Sequence, residues 1–159
     1  MELIKRGEVV DDPFKTVADD EALPKGDVLV SWARFQNEAE ALLSRSGRVG
    51  VRIPNDVDLQ ALAPYTEQLD LIAVEFPKYT DGRGYSLARR LRERHGFRGE
   101  LRAVGDILRD QLFFMRRCGF DAFELKDGKD VAGALEAFRE FSVTYQGAAD
   151  DPRPLFRRR

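Results

Sequence analysis

The chain has 159 residues and a formal net charge of -2, with 43% apolar and 34% charged residues. That balance describes one soluble globular unit able to bury a core, and it argues against a general nucleic-acid binder, which needs a basic excess to neutralise phosphates. No apolar run is long enough to span a bilayer, and a lone Cys118 excludes an internal disulfide.

The segment Met1-Glu2-Leu3-Ile4-Lys5 lacks the basic stretch and apolar block of a signal peptide, so the cytoplasm is the expected compartment. Leu3-Ile4-Lys5, Arg6-Gly7 and Glu8-Val9-Val10 predict a small β-hairpin that Asp12-Pro13 ends, and residues 14–27 read as linker. From Val28 onward the chain alternates short apolar strands with helices. Strands are expected to start at 28, 49, 70, 101 and 121. The helices carry Phe35, Leu42 and Leu43; Leu59 and Leu62; Leu87 and Leu91; residues 107–117; and Val131, Leu135 and Phe138, with Gly47, Gly96 and Gly119 as stops. Phe141, Val143 and Tyr145 alternate as a sixth strand or ordered strip. Residues 1–27 are thus hairpin and linker, 28–146 a βα core, and 147–159 a loose basic tail of one domain.

About five consecutive βα units imply an α/β fold with parallel strands and right-handed crossovers. Side-chain parity puts Val49, Val51, Ile53, Ile72, Val74, Phe76, Leu101, Ala103, Phe123 and Leu125 on one face. The other receives Gly50, Arg52, Ala73, Glu75, Arg102, Ala122 and Glu124. A doubly wound open sheet, the alternative, would be apolar on both faces. One apolar face favours a partial (βα)-barrel with helices outside and a polar concave face.

On that concave face Arg52, Glu75, Arg102 and Glu124 form a row of alternating charge, either pairing with one another or binding a small anion, with Glu75 as a candidate acid or base. The loop after the third core strand adds Lys78, Asp81 and Arg83 around two glycines. It is neither a dinucleotide fingerprint, since Leu87 stands where a third glycine should, nor a P-loop. Asp106 is a helix N-cap or a second candidate carboxylate. Treating residues 107–117 as one helix buries Ile107, Leu108, Leu112, Phe114 and Met115. It leaves Phe113 exposed among Arg109, Arg116 and Arg117 as a partner anchor. One His and one Cys cannot make a four-ligand Cys/His zinc site or a Cys-ligated iron–sulfur cluster within one chain. His95 suits a helix end, and Cys118 reads as structural. Open sheet edges make a homo-oligomer reasonable.

Residues 76–86 (FPKYTDGRGYS), 101–111 (LRAVGDILRDQ) and 117–123 (RCGFDAF) closely resemble the bacterial family called domain of unknown function 934, over nearly the whole chain. Members are usually encoded beside assimilatory sulfite reductase and are often labelled as probable oxidoreductases. The resemblance therefore implies an accessory role in sulfite reduction with sulfite reductase as partner, and it carries over no catalytic residue. No cofactor motif is evident, and a non-covalent flavin is left open. The alternative is a small anion-binding enzyme of barrel type using Lys78, Arg83, Arg102 and Glu75; no nucleic acid and no membrane is expected as a partner.

Overall fold

The computed structural model describes residues 2–78, 82–125, 132–136 and 138. Eight strands form one sheet: β1 (Glu2–Lys5), β2 (Glu8–Val10), β3 (Lys15–Thr16), β4 (Val28–Ser31), β5 (Val49–Ile53), β6 (Leu71–Phe76), β7 (Glu100–Gly105) and β8 (Ala122–Leu125). The helices are α1 (Trp32–Ser44), α2 (Leu59–Leu62), α3 (Arg83–Glu93) and α4 (Leu112–Cys118), and residues 132–136 are also helical. The strand order is β2-β1-β8-β7-β6-β5-β4-β3. From β3 to β8 all pairs are parallel, while β1 lies antiparallel to both β8 and β2. The sheet is therefore mixed, not wholly parallel. The doubly wound alternative is excluded, because β4 to β8 follow chain order without reversal.

Chain length forces the sheet to curl. Strands β2 and β3 stand at opposite edges, seven inter-strand steps apart, which would be roughly 34 Å in a flat sheet. From Val10 to Lys15 the backbone can reach only about 17 Å. The result is an open half-barrel whose two edges are tied by residues 11–14. Residues 14–27, read from sequence as linker, thus contain an edge strand: Lys15 and Thr16 pair with Val28 and Leu29. Two residues with no apolar alternation carry no strand signal of their own; β4 templates them.

The outer face is the main core. Ile4, Val30, Val51, Ile72, Val74, Leu101, Ala103 and Phe123 of the strands pack with Phe35, Leu42, Leu62, Leu87, Leu91, Leu112 and Met115 of the helices, and with Ala134 and Phe138. The inner face carries its own small cluster, Phe14 on Leu29, Leu71, Ala73 and Val104. Parity puts Leu71 beside Ala73 and Glu75 and Val104 beside Arg102 on this face, so it reads from sequence as small or charged only because these apolar members are left out of the count.

An aspartate immediately before a strand recurs three times and ties neighbouring strand starts together. Asp27 accepts the Arg48 N–H (2.7 Å), Asp70 the Val49 N–H (3.2 Å) and Asp121 the Leu101 N–H (2.7 Å). The same device titrates in opposite directions at two of these positions. At Asp27 the backbone and guanidinium hydrogen bonds from Arg48 lower the pKa. At Asp121 burial raises it, only partly offset by the Leu101 N–H and by Arg92. A raised native pKa means the native state binds the proton more tightly, so Asp121's contribution is fullest below its unfolded value near 3.8 and is lost as pH rises through the native pKa. In an Asp121→Asn variant, urea unfolding across a pH series from about 3.5 upward should therefore lack this decline, and an unchanged pH slope would exclude Asp121 as its source.

Candidate functional site

Burial and pairing divide the charged residues of the concave face. Register places Arg52, Ala73, Arg102 and Ala122 in one row across β5 to β8, with Glu75 opposite Val104 one pleat further on. The expected straight row of alternating charge is thus two rows joined diagonally. Half-exposed Arg52 meets Glu75 at 3.6 Å, and Arg102 meets Glu124 at 4.0 Å. At 3.6 Å the first contact is an ion pair but not a hydrogen bond, and Arg52 Nε is buried without an acceptor.

Arg102 is fully buried and is not available as a ligand donor. Its guanidinium donates to Asp12 Oδ1 and Oδ2 at 3.1 and 2.9 Å and to Glu100 Oε2 at 2.8 Å. Lys5 pairs with the other Glu100 oxygen at 3.1 Å. Burial by itself would lower the Arg102 pKa, but the Asp12 and Glu100 carboxylates more than offset it and leave the group above its ordinary value. Asp12 Oδ1 also accepts the Phe14 N–H at 3.0 Å, so the segment tying the sheet edges is pinned across the inner face. The Arg48 guanidinium covers the Phe14 ring, 4.9 Å from its centroid. The concave face is therefore occupied by the chain itself around Arg102, and only the Arg52–Glu75 end stays partly open.

The glycine-bearing loop falls elsewhere. Lys78 is exposed beyond β6, Asp81 lies outside the described residues, and Arg83 opens α3 on the outer, helical side. Gly84 packs against β6: a Cβ there would stand 2.6 Å from Phe76 Cζ, so this glycine permits close helix–strand packing rather than ligand approach. Arg83 lines a groove of about 710 Å³ between the β5–α2 turn and α3, together with Asn55, Asp56, Asp58, Arg90 and Arg94. Arg52, Glu75 and Arg102 do not line it. The expected rim of Lys78, Asp81 and Arg83 includes Asp81, which lies outside the described residues, and Arg83 lines this groove apart from Arg52, Glu75 and Arg102.

No α-helix starts directly after Asp106. The Asp106 N–H donates to Phe76 O at 2.7 Å, a 3-10 turn follows at Arg109–Gln111, and α4 begins only at Leu112 with Gln111 as N-cap. That late start also corrects the expected helix phase. Leu108 precedes the helix and is 41% exposed, and Phe114, placed on the buried face from sequence, is 50% exposed. Phe113 is half-buried, with the Arg117 guanidinium 5.8 Å from its ring centroid. Phe114 instead makes an edge contact with Tyr85 of α3 at 5.0 Å and lines a shallow depression with Arg89, Arg90, Glu93, Arg94 and Cys118. Arg116 is half-buried and lines a separate cavity with Phe120 and Phe123. Arg109 lies in the 3-10 turn.

Two arginines are internal clamps. Arg92 donates to the carbonyls of Phe97, Gly99 and Gly119 at 2.8–2.9 Å, and Arg34 to those of Ala18 and Glu21 at 2.6 and 2.7 Å. His95 sits half-buried after α3, its N–H bonded to Arg90 O at 3.2 Å. Cys118 is buried, its thiol pKa pushed up by desolvation, with Arg89 Nη2 3.8 Å from the sulfur. No group of three or more His, Cys, Asp or Glu suited to a metal ion occurs among the described residues, and no described helix is long and apolar enough to cross a membrane.

Residues 50–156 match the model of the family described as bacterial protein of unknown function (DUF934). No curated protein and no solved structure matches the chain.

Proposed function

The chain belongs to the DUF934 family of bacterial proteins of unknown function, and from that premise we propose that it is a cytoplasmic accessory protein of assimilatory sulfite reduction that docks on sulfite reductase. The observation that carries docking is the surface shared by α3 and α4. There Phe114 stands half-exposed against Tyr85 beside Arg89, Arg90 and Arg94. Aromatic and arginine side chains dominate binding hot spots, and this arrangement suits a partner surface that offers an apolar pocket rimmed by carboxylates. Sulfite reductase passed over the immobilised chain should be retained, and Phe114→Ala should weaken retention by roughly 30-fold, the equivalent of about 2 kcal/mol. Passage of the enzyme without retention would sink the reading. In the cell, deletion of the gene should impair growth on sulfate and sulfite and spare growth on sulfide.

A second reading, a small anion-binding enzyme, draws on the Arg52–Glu75 end of the inner face. A buried Nε without an acceptor beside a half-exposed carboxylate is an incomplete arrangement that a bound anion would complete. Under this reading Glu75 is the acid or base and Arg52 the anion donor.

A further inference from the structure

We propose that the groove between the β5–α2 turn and α3 is a binding site for a compact oxyanion of the phosphate or sulfate class. Its α3 wall presents Arg83, Arg90 and Arg94. At 100° per residue these positions fall within about 40° of one another on one helix stripe; at about 1.5 Å rise per residue, Arg90 and Arg94 are one turn apart and can share a compact ligand, while Arg83 stands about 10 Å further along the stripe. The facing wall is the turn Pro54–Val57, closed by the Val57 N–H to Pro54 O bond at 3.2 Å, and the start of α2. Among the described residues no ion pair within 4.0 Å joins Arg90 or Arg94 to Asp56 or Asp58, so these two arginines are not neutralised across the groove.

Asn55 supplies the second, independent observation. The residue lines the groove and is only 7% exposed, yet its Nδ2 is buried with no acceptor. Leaving an amide donor unmet costs about 1–3 kcal/mol, so such a group points to an acceptor that the protein itself does not provide. Guanidinium groups and an amide N–H together make the donor set that an oxyanion satisfies. The carboxyl end of a strand, where Asn55 sits after β5, is also where ligands gather in parallel α/β sheets. Asp56 and Asp58 restrict the ligand's size. An extended polyanion filling the groove would meet both carboxylates, whereas a compact oxyanion against α3 need not. Arg90 and Arg94 border both this groove and the docking surface proposed above, whereas Phe114 does not line the groove, so Phe114→Ala separates the two by weakening docking and leaving anion binding unchanged.

Calorimetric titration of the full chain with sodium phosphate and sodium sulfate, each against chloride of matched ionic strength, tests the inference. Saturable one-site binding is expected. An Arg90→Gln/Arg94→Gln double variant should bind at least tenfold more weakly while its melting temperature without the anion stays unchanged, because both side chains are exposed. Asn55→Asp should also weaken binding, by exchanging a donor for a carboxylate. Absence of saturation in the unaltered chain, or equal affinity in the double variant, overturns the proposal and leaves water as the acceptor for Asn55. A difference between the phosphate and sulfate arms identifies which oxyanion the groove prefers.

Discussion

Replacing Arg102 by methionine should lower the unfolding free energy by about 3–5 kcal/mol, the cost of removing one partner of a buried charge cluster. The guanidinium is fully buried and holds Asp12 and Glu100 together; without it the Glu100 carboxylate keeps only Lys5, and Asp12 loses both charge-assisted bonds. Urea unfolding at neutral pH measures the loss. Two accompanying results identify its source. The deficit should shrink in acid, where the stranded carboxylates protonate, and a triple variant that adds Asp12→Asn and Glu100→Gln should recover part of it. Arg102→Lys should not restore stability, because a single ammonium cannot reproduce the planar fork that serves two carboxylates. A loss below about 1 kcal/mol would mean that the cluster behaves as a screened surface pair.

Gly105→Ala should cost roughly 2–4 kcal/mol, for two reasons that can be separated. Gly105 ends β7 with φ +102°, in the region that side chains rarely adopt, and an added Cβ would stand 2.5 Å from Phe76 O. That oxygen is already held by the Asp106 N–H at 2.7 Å and belongs to the neighbouring strand, so neither atom can retreat cheaply. Gly96 is the control: its φ is +63°, and a Cβ added there would meet nothing within 4 Å. Gly96→Ala should therefore lose only the backbone preference, about 1 kcal/mol. Equal losses at both positions would show that the contact with Phe76 contributes nothing.

The alternation of apolar strands and helices is enough to read the strand starts from Val28 onward to within a residue, and outer-face parity identifies the main core, because burial against helices demands apolar residues at every second strand position. What sequence does not reveal is set by contacts distant along the chain. Nothing local distinguishes Asp12 and Phe14 from linker; their roles exist only because Arg102 and Val104 lie across from them. Periodicity also misleads on α4, because a 100° step applied from Ile107 runs through a 3-10 turn that does not follow it. The loop with Lys78, Asp81 and Arg83 stands out through its glycines, yet the candidate groove is better marked by Asn55, Arg90 and Arg94. A signal for the latter is present, since positions 83, 90 and 94 share a helical stripe, but the stripe reads as a solvated face. The aspartate before Val28, Leu71 and Ala122 is equally visible as a repeat.

The pairing of β1 with β8 has a consequence for the order in which the molecule is built. Ile4 stands opposite Phe123, and Asp12 reaches Arg102 across 90 residues of sequence. During synthesis the hairpin emerges first and waits until residue 125 has left the ribosome before its sheet partner exists, and an isolated two-stranded hairpin is marginal in water. The closing of this large loop comes late and carries a high entropic cost, which makes it the slow step expected of a topology with such distant contacts. Until then β7 lacks its β8 neighbour, and Arg102, which pairs with Ala122 across that edge, is without its full burial. The nascent chain therefore passes through a stage in which its most buried charge is still partly solvated, and burial of that charge marks the completion of the domain.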